Sequence, residues 1–499
     1  MTPETRTAPV FLAFDLGAES GRVMAGTLAE DRLATEEIHR FPNGPVAAGG
    51  RLYWDILRIW EEIQTGLARA AAAYGGRLAG VGVDSWGVDF GLLDRDGALL
   101  GNPFHYRDVR TRGMAQAASR TVPPRELFSI TGIRPMDLNS LYQLLATADS
   151  GVWEAADAFL NIPDLLNHWL CGRMASEWTI ASTTQCLDAR RRDWSRDVLA
   201  RFGIPAGMFQ PVTAPGTILA ELSPAAAGPA GCGRIPVIAV GSHDTASAVA
   251  AVPAADSNFL FLSSGTWSLM GAEVDDPVLD PRALECGFSN EGGTNGKYLL
   301  LKNISGLWPL QECRRAWCAE GPQRSYDSLV GAAREAAPFA SFILPGEPRF
   351  LPPGDMPGRI REFCRSSGQP VPQSVGEVVR CILESLALEY RRTADQLAGL
   401  LGRAFSAVHI VGGGSRNHLL NQFAADALRL PVIAGPAEAT ALGNIIGQAV
   451  AVGRLGSWEE GRRLTQHVEP LTLCAPADGD AWEAAYARYV ELAKNGSES

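Results

Sequence analysis

The 499-residue chain is predicted to be an α/β protein of two related domains. Three observations predict this. Short β-branched or aromatic runs alternate with longer stretches of helical spacing, two similar strand-turn-strand units stand half a chain apart, and a third strand runs into a glycine triplet and a helix. A chain of this length also exceeds what a single hydrophobic core supports.

The elements follow in order. Val10 to Asp15 is a strand, and Val23 to Leu28 reads as its antiparallel return after the turn Leu16 to Arg22. Trp54 to Tyr74 carries Ile56, Ile59, Trp60, Ile63 and Leu67 at the spacing of an amphipathic helix, and Leu78 to Val83 is the next strand. The Ala/Pro/Gly-rich stretch Ala225 to Gly233 reads as a loop. Ile235 to Val240 is a buried strand that delivers Ser242-His243-Asp244-Thr245 to a helix over Thr245 to Ala251. Val252 to Asn258 contains Pro253 and little apolar weight, which places the domain boundary there and gives domains 1–252 and 253–499. The second half then opens as the first did: Phe259 to Leu262 ends in Ser263-Ser264-Gly265-Thr266 and returns through Trp267 to Gly271, with Ser264 lying 249 residues after Asp15. His409 to Val411 closes a strand, and Gly412-Gly413-Gly414 leads to a helix over Asn417 to Leu428.

Apolar content of 46% and charged content of 20% describe an ordinary globular chain, and a net charge of −11 without a Lys/Arg-rich run argues against a nucleic-acid binder. The nine cysteines form no C-x-x-C pair and have no nearby histidine set, so they read as scattered core thiols of a reducing compartment. Cys364 and Cys381 could meet if Val378 to Leu401 folds back as a helix. The apolar run from Val10 is broken by Asp15, which is unlike a signal peptide, and no stretch approaches the roughly 18 apolar residues of a membrane span. A cytoplasmic enzyme without membrane partners is expected.

The chemistry-bearing residues sit at strand ends. Asp244 is placed either to accept a proton or to cap the helix that follows it. Asp15, next to Gly17, is placed either to hold the waters of a Mg²⁺ ion or to form the turn. The turns after both opening strands are rich in Gly and Ser, which lets backbone N–H groups approach phosphate oxygens. The glycine triplet lacks the dinucleotide fingerprint, because Asn417 stands at its sixth position, and the Gly296-Lys297 pair is followed by Tyr298, so no Walker A loop exists.

Phe14 to Arg22, Gly82-Val83-Asp84-Ser85-Trp86-Gly87-Val88-Asp89-Phe90, Tyr106-Arg107-Asp108, Gly241 to Val249, Leu262 to Gly271 and Val411 to Gly414 together resemble the FGGY carbohydrate kinases, in the same order from about Phe11 to Val450. The resemblance implies two actin-like, ribonuclease-H-like domains around a central cleft, ATP and Mg²⁺ as cofactors, and a ketose as acceptor. L-rhamnulose phosphorylated at its 1-position is the expected substrate, with L-fuculose or another polyol as the nearer alternative. By the same resemblance Asp244 is the general base; Gly17, Ala18, Glu19, Ser20 and Gly21 form the first phosphate loop and Gly265-Thr266 the second. Gly413 and Gly414 lie beside the adenosine, Asn303 and Gln311 on the nucleotide side, Gly87, His243, Asp244 and Thr245 at the sugar, and Asp15 at the metal. Glu19 departs from the family's small or hydroxyl residue, and a carboxylate there is expected to point outward or to bind through metal and water. A non-catalytic sugar sensor is disfavoured, because no DNA-binding segment fits before the first strand, and an actin-type nucleotide-driven protein would need no base aimed at a sugar.

Overall fold

The computed structural model describes residues 7–30, 32–477 and 479–496. It divides into two units. The first comprises the described residues up to Pro253 together with Glu273–Leu300 and Ala439–Glu469; the second comprises Ala254–Ala272, Leu301–Glu438 and the described residues from Pro470.

The first unit is built on β1 (Val10–Leu16), β2 (Ser20–Ala29), β3 (Arg32–Pro42), β4 (Leu78–Ser85), β5 (Thr217–Glu221) and β6 (Pro236–Ala239), in the order β5-β6-β4-β1-β2-β3. β1 runs parallel to β4, β4 parallel to β6, and the flanking pairs are antiparallel. Every residue of β1 is buried, because apolar side chains leave both of its faces. On one face lies α1 (Ile56–Tyr74), whose Ile56, Ile59, Ile63 and Leu67 are buried and whose start is capped by Asp55. On this sheet also lies a late arrival in sequence, α5 (Ala439–Ala451), which donates from Gln448 Nε2 to the Leu12 carbonyl at 2.8 Å.

The sheet of the second unit contains β7 (Phe259–Ser264), β8 (Ser268–Val274), β9 (Tyr298–Ile304), β10 (Ala407–Val411), β11 (Val432–Ala434) and β12 (Thr472–Cys474), neighbouring in the order β9-β8-β7-β10-β11-β12. Four pairings match the first sheet in direction: β7 is antiparallel to β8, parallel to β10, and β10 is parallel to β11, which is antiparallel to β12; a seventh strand, Ser289–Gly292, lies beyond β9. Two sheets of one topology are what the repeated strand-turn-strand signal predicts. The long helix α3 (Val375–Leu401), opened by a Ser374/Glu377 capping box, and α4 (His418–Leu428) pack together in this unit.

Two sequence expectations change. Ala225 to Gly233 is not a loop throughout, since Pro224–Ala230 is helical: Ser223 caps it, Pro224 occupies its first turn, three alanines favour it and Gly231 ends it in the left-handed region. The Pro/Gly count masked a good helix start. The last two glycines of the triplet themselves open a 3-10 turn, Gly413–Arg416, and α4 begins at His418 with Asn417 as its cap. The nine cysteines are free thiols; Cys364 and Cys381 do meet, as a hydrogen-bonded pair. Among the described residues no helix is long and apolar enough to cross a membrane.

The helix that opens at Asp244, α2 (Asp244–Ala250), lies against α5 so closely that a Cβ on Gly443 would stand 1.8 Å from the Ser247 carbonyl oxygen. Replacing a helical glycine by alanine normally gains up to about 1 kcal/mol. At this crossing the clash wins, since overpacking costs about 1–3 kcal/mol, whereas Gly399 in α3 has nothing within 4 Å of its missing Cβ. Gly443→Ala is expected to lower the thermal unfolding midpoint and Gly399→Ala to hold or raise it, as measured by differential scanning calorimetry of the two variants.

Candidate active site

The turn after β6 is fixed by the backbone before any side chain acts. Ser85 N–H, at the end of β4, donates to the Ser242 carbonyl at 2.9 Å, which extends the parallel pairing past β6. Ser242 N–H donates to Glu177 Oε2 (3.2 Å) and His243 N–H to Thr179 Oγ1 (3.0 Å), while the Thr179 hydroxyl itself donates to Glu177 Oε2 (2.6 Å). Thr179 N–H and Ile180 N–H complete the shell of Glu177, whose burial pushes its pKa up to about 7 against these donors.

Asp244 is the first residue of α2, and His243 precedes it as a cap residue whose side chain makes no capping bond. The cap position belongs to His243, and the Asp244 carboxylate accepts from the Thr245 N–H within the first turn. Its Oδ1 accepts from the Thr245 hydroxyl at 3.1 Å and lies 3.4 Å from His243 Nε2. A third of the Asp244 side chain stays accessible. Burial of the group raises its pKa, the His243 charge opposes this, and the Asp15 charge adds to it. His243 faces a second carboxylate, with Nδ1 at 3.2 Å from Glu291 Oε2.

Asp15 lies at the end of β1, in register with Arg22 of β2 on one side and Asp84 of β4 on the other. Arg22 donates to Asp15 Oδ2 at 2.5 Å. Asp84 is fully buried; Asn444 of α5 donates to its Oδ2 at 2.6 Å, and its Oδ1 has no partner. Burial first, then the neighbouring charge of Asp15, hold the Asp84 carboxyl well above the usual range. Among the described residues no group of three or more His, Cys, Asp or Glu side chains is disposed to hold a metal ion. An orphaned carboxylate oxygen beside Asp15 nevertheless fits Mg²⁺, which binds through one or two carboxylates and keeps several waters.

The first glycine-rich turn is a tight hairpin: Gly17 N–H donates to the Ser20 carbonyl at 3.0 Å, and Asn43 Nδ2 donates to the Gly17 carbonyl at 2.8 Å. Ala18 and Ser20 are partly open, and Glu19 is exposed, as its departure from the family pattern suggested. Gly21 has a packing reason as well, since a Cβ there would meet the Phe41 ring at 2.2 Å. Gly87 packs against Thr183, and Val88 beside it is held at φ 69° by Thr183 Oγ1, which accepts from its N–H, and by Ser140 and Gln143, which donate to its carbonyl. Behind this loop Asp89 gathers Trp54 Nε1, Trp86 Nε1, Tyr106 N–H and Gln143 Nε2, and burial lifts its pKa to about 6.

These residues, Asp15, Gly17 to Gly21, Gly87 and His243 to Thr245, all belong to the first unit. Thr266, Asn303, Gln311, Gly413 and Gly414 belong to the second. There Gln311 Nε2 donates to Thr266 Oγ1 at 3.2 Å, while Gln311 Oε1 is buried without a partner. Gly413 is exposed with open space where a Cβ would be, whereas Gly414 is packed on Ser264. Asn303 lies on β9, half-buried. The sequence reading missed Glu177, Thr179, Glu291 and Asn444, which tertiary folding alone brings to the turn. Asp84 had a signal: it ends a buried strand as Asp15 does.

A family model described as the N-terminal domain of the FGGY family of carbohydrate kinases matches residues 10–251, and its C-terminal counterpart matches residues 260–452. A rhamnulokinase of Bacteroides thetaiotaomicron is 45% identical over 481 residues, covering 96% of this chain and 98% of that protein. One of Pectobacterium carotovorum subsp. carotovorum is 40% identical over 487 residues, covering 97% and 96%. Among solved structures, a ligand-bound xylulose kinase from Lactobacillus acidophilus superposes with a TM-score of 0.81 at 16% identity, covering 98% of this chain and 99% of that one. Plasmodium falciparum glycerol kinase with ADP superposes with a TM-score of 0.78 at 14% identity, covering 98% of each. These structural likenesses establish the two-domain sugar-kinase fold. With both domain models matched and relatives of 40–45% identity along nearly its whole length, the chain belongs to the FGGY family of carbohydrate kinases.

Proposed function

We propose that the chain transfers the γ-phosphoryl group of ATP to the primary hydroxyl of L-rhamnulose, giving L-rhamnulose 1-phosphate and ADP. The observation that carries this reading is the identity of 40–45% to curated rhamnulokinases over at least 96% of the chain, joined to a partly accessible carboxylate, Asp244, at the head of α2.

In this reading Asp244 accepts the O1 proton as O1 forms its bond to the γ-phosphorus and the bond to the β-γ bridging oxygen breaks. A positioned base contributes roughly 10²–10⁴-fold, and the larger share of the acceleration comes from orientation and charge neutralisation. Burial raises the pKa of Asp244, which makes its carboxylate a better proton acceptor than that of an ordinary aspartate. His243, Thr245 and Gly87 are assigned to the sugar, with the Val88 carbonyl bonds and Asp89 fixing the loop that carries Gly87. Backbone groups of Gly17, Ala18, Glu19, Ser20 and Gly21, with Thr266, Asn303, Gln311, Gly413 and Gly414, are assigned to the nucleotide; the open face of Gly413 and the unpartnered Gln311 Oε1 support those two residues. Asp15 would hold Mg²⁺ through its waters, and the ion when bound neutralises phosphate charge.

Asp244→Asn is expected to lower kcat by roughly 10²–10⁴-fold with ATP still bound in a calorimetric titration; a folded variant of full activity would sink the base assignment. Because the base must be ionised, kcat/KM should fall as pH drops, with an inflection above the ordinary aspartate value of about 3.9, and this limb should vanish in the variant. A panel of L-rhamnulose, L-fuculose, L-xylulose and glycerol, read as ADP release, should show L-rhamnulose turned over best. Equal or better turnover of another acceptor reassigns the substrate.

A further inference from the structure

We propose that Glu291 is a positioning residue of the reaction: it grips the His243 imidazole at Nδ1 so that Nε2 presents a hydrogen beside Asp244, to the sugar oxygen next to the one being phosphorylated. The inference rests on Asp244 being the base.

Glu291 sits on the strand Ser289–Gly292, which is anchored at its next residue: Gly292 N–H donates to Ser182 Oγ at 2.7 Å, and a Cβ on Gly292 would strike Trp178 Nε1 at 2.6 Å. The carboxylate and the imidazole are both nearly inaccessible, at 9% and 7% of their side-chain surface. Their approach of 3.2 Å is off the axis of a well-aligned hydrogen bond, yet among the described residues neither Nδ1 nor Oε2 has a better partner. The ring thus bridges two carboxylates, Glu291 at Nδ1 and Asp244 at 3.4 Å from Nε2.

What the ring offers Asp244 depends on its charge. A neutral imidazole giving its one hydrogen to Glu291 turns a lone pair toward the Asp244 oxygen, whereas an imidazolium donates from both nitrogens. Burial alone pulls the His243 pKa down; Glu291, then Asp244 and Glu177, the charged groups that face it, overcome that pull and set it at about 8. A donor 3.4 Å from the base matches a pair of oxygens on adjacent carbons, one losing its proton and the other accepting a hydrogen bond. A 1-hydroxy-2-keto sugar carries such a pair at its reacting end. Donation to the C2 oxygen also withdraws electrons from C1, which makes the O1 proton easier to remove.

The test is Glu291→Gln in the full chain, with the imidazole ¹⁵N resonances of His243 assigned by His243→Asn and followed against pH. The midpoint is expected to fall by roughly one unit or more, and the KM for L-rhamnulose to rise by roughly tenfold or more, with the KM for ATP unchanged. Glu291→Asp keeps the charge one methylene short, and its midpoint should lie between wild type and the glutamine variant. A folded glutamine variant with an unmoved His243 midpoint overturns the proposal. If that variant does not fold, an unmoved midpoint in Glu291→Asp does the same. Wild-type protein that titrates near 8 without phosphorylating L-rhamnulose would instead sink the substrate reading and leave the Glu291–His243 pairing standing.

Discussion

The Glu177 carboxylate is the constraint on which the turn from Ser242 to Asp244 depends. Four donors converge on it from Thr179, Ile180 and Ser242, and one of them, the Thr179 hydroxyl, also accepts from His243 N–H. A buried carboxylate is expensive unless its lone pairs are filled. Here filling them forces the chain into one path, because two of the satisfied groups are the backbone of Ser242 and, through Thr179, of His243. Once those peptides are fixed, Asp244 is the residue that opens α2. Removing Glu177 would leave four donors stranded, so the fold around it and the position of Asp244 depend on the same bonds.

The acidic residues follow from topology. β1, β4 and β6 are parallel, and their carboxyl ends deliver Asp15, Asp84 and the turn to Asp244 at one edge of the sheet, the edge where open α/β sheets bind ligands. Three carboxylates brought together in this way repel one another. Arg22 offsets part of the charge at Asp15, and Asn444 supplies a neutral donor to Asp84. The second sheet repeats the strand order without the acidic ends: β7 closes in Ser263 and Ser264, and β10 in Val411 and a glycine triplet. One strand order therefore carries different groups at its strand ends, carboxylates in the first sheet and serine and glycine in the second.

Much of this was legible in the sequence because it is local. Strand ends, glycine turns and the amphipathic spacing of α1 are written within a few residues of where they act. The two Asp244 alternatives, base or cap, were local as well. The loop expected over Ala225 to Gly233 failed because composition was weighed above the Ser-Pro helix start at Ser223. Glu177, Glu291 and Asn444 were illegible for another reason: each is an ordinary polar residue in its own segment and acquires meaning only from a partner far along the chain. Asp84 shows the intermediate case, where the rule that found Asp15 applied but its signal lay inside a motif read for its tryptophan and glycine.

The helix α5 closes the first unit from a great distance. Asn444 reaches Asp84 across 360 residues of chain and Gln448 reaches Leu12 across 436, while Ile445 fills the space left by Gly26. Until those residues are synthesised, β1 and β4 have an uncovered face and Asp84 lacks its Asn444 donor. Long-range closure of this kind is slow to form and leaves apolar strand surface open meanwhile. The half of the protein that the ribosome makes first is thus among the last parts to become complete, and Asp84 acquires its one neutral donor only when nearly the whole chain has emerged.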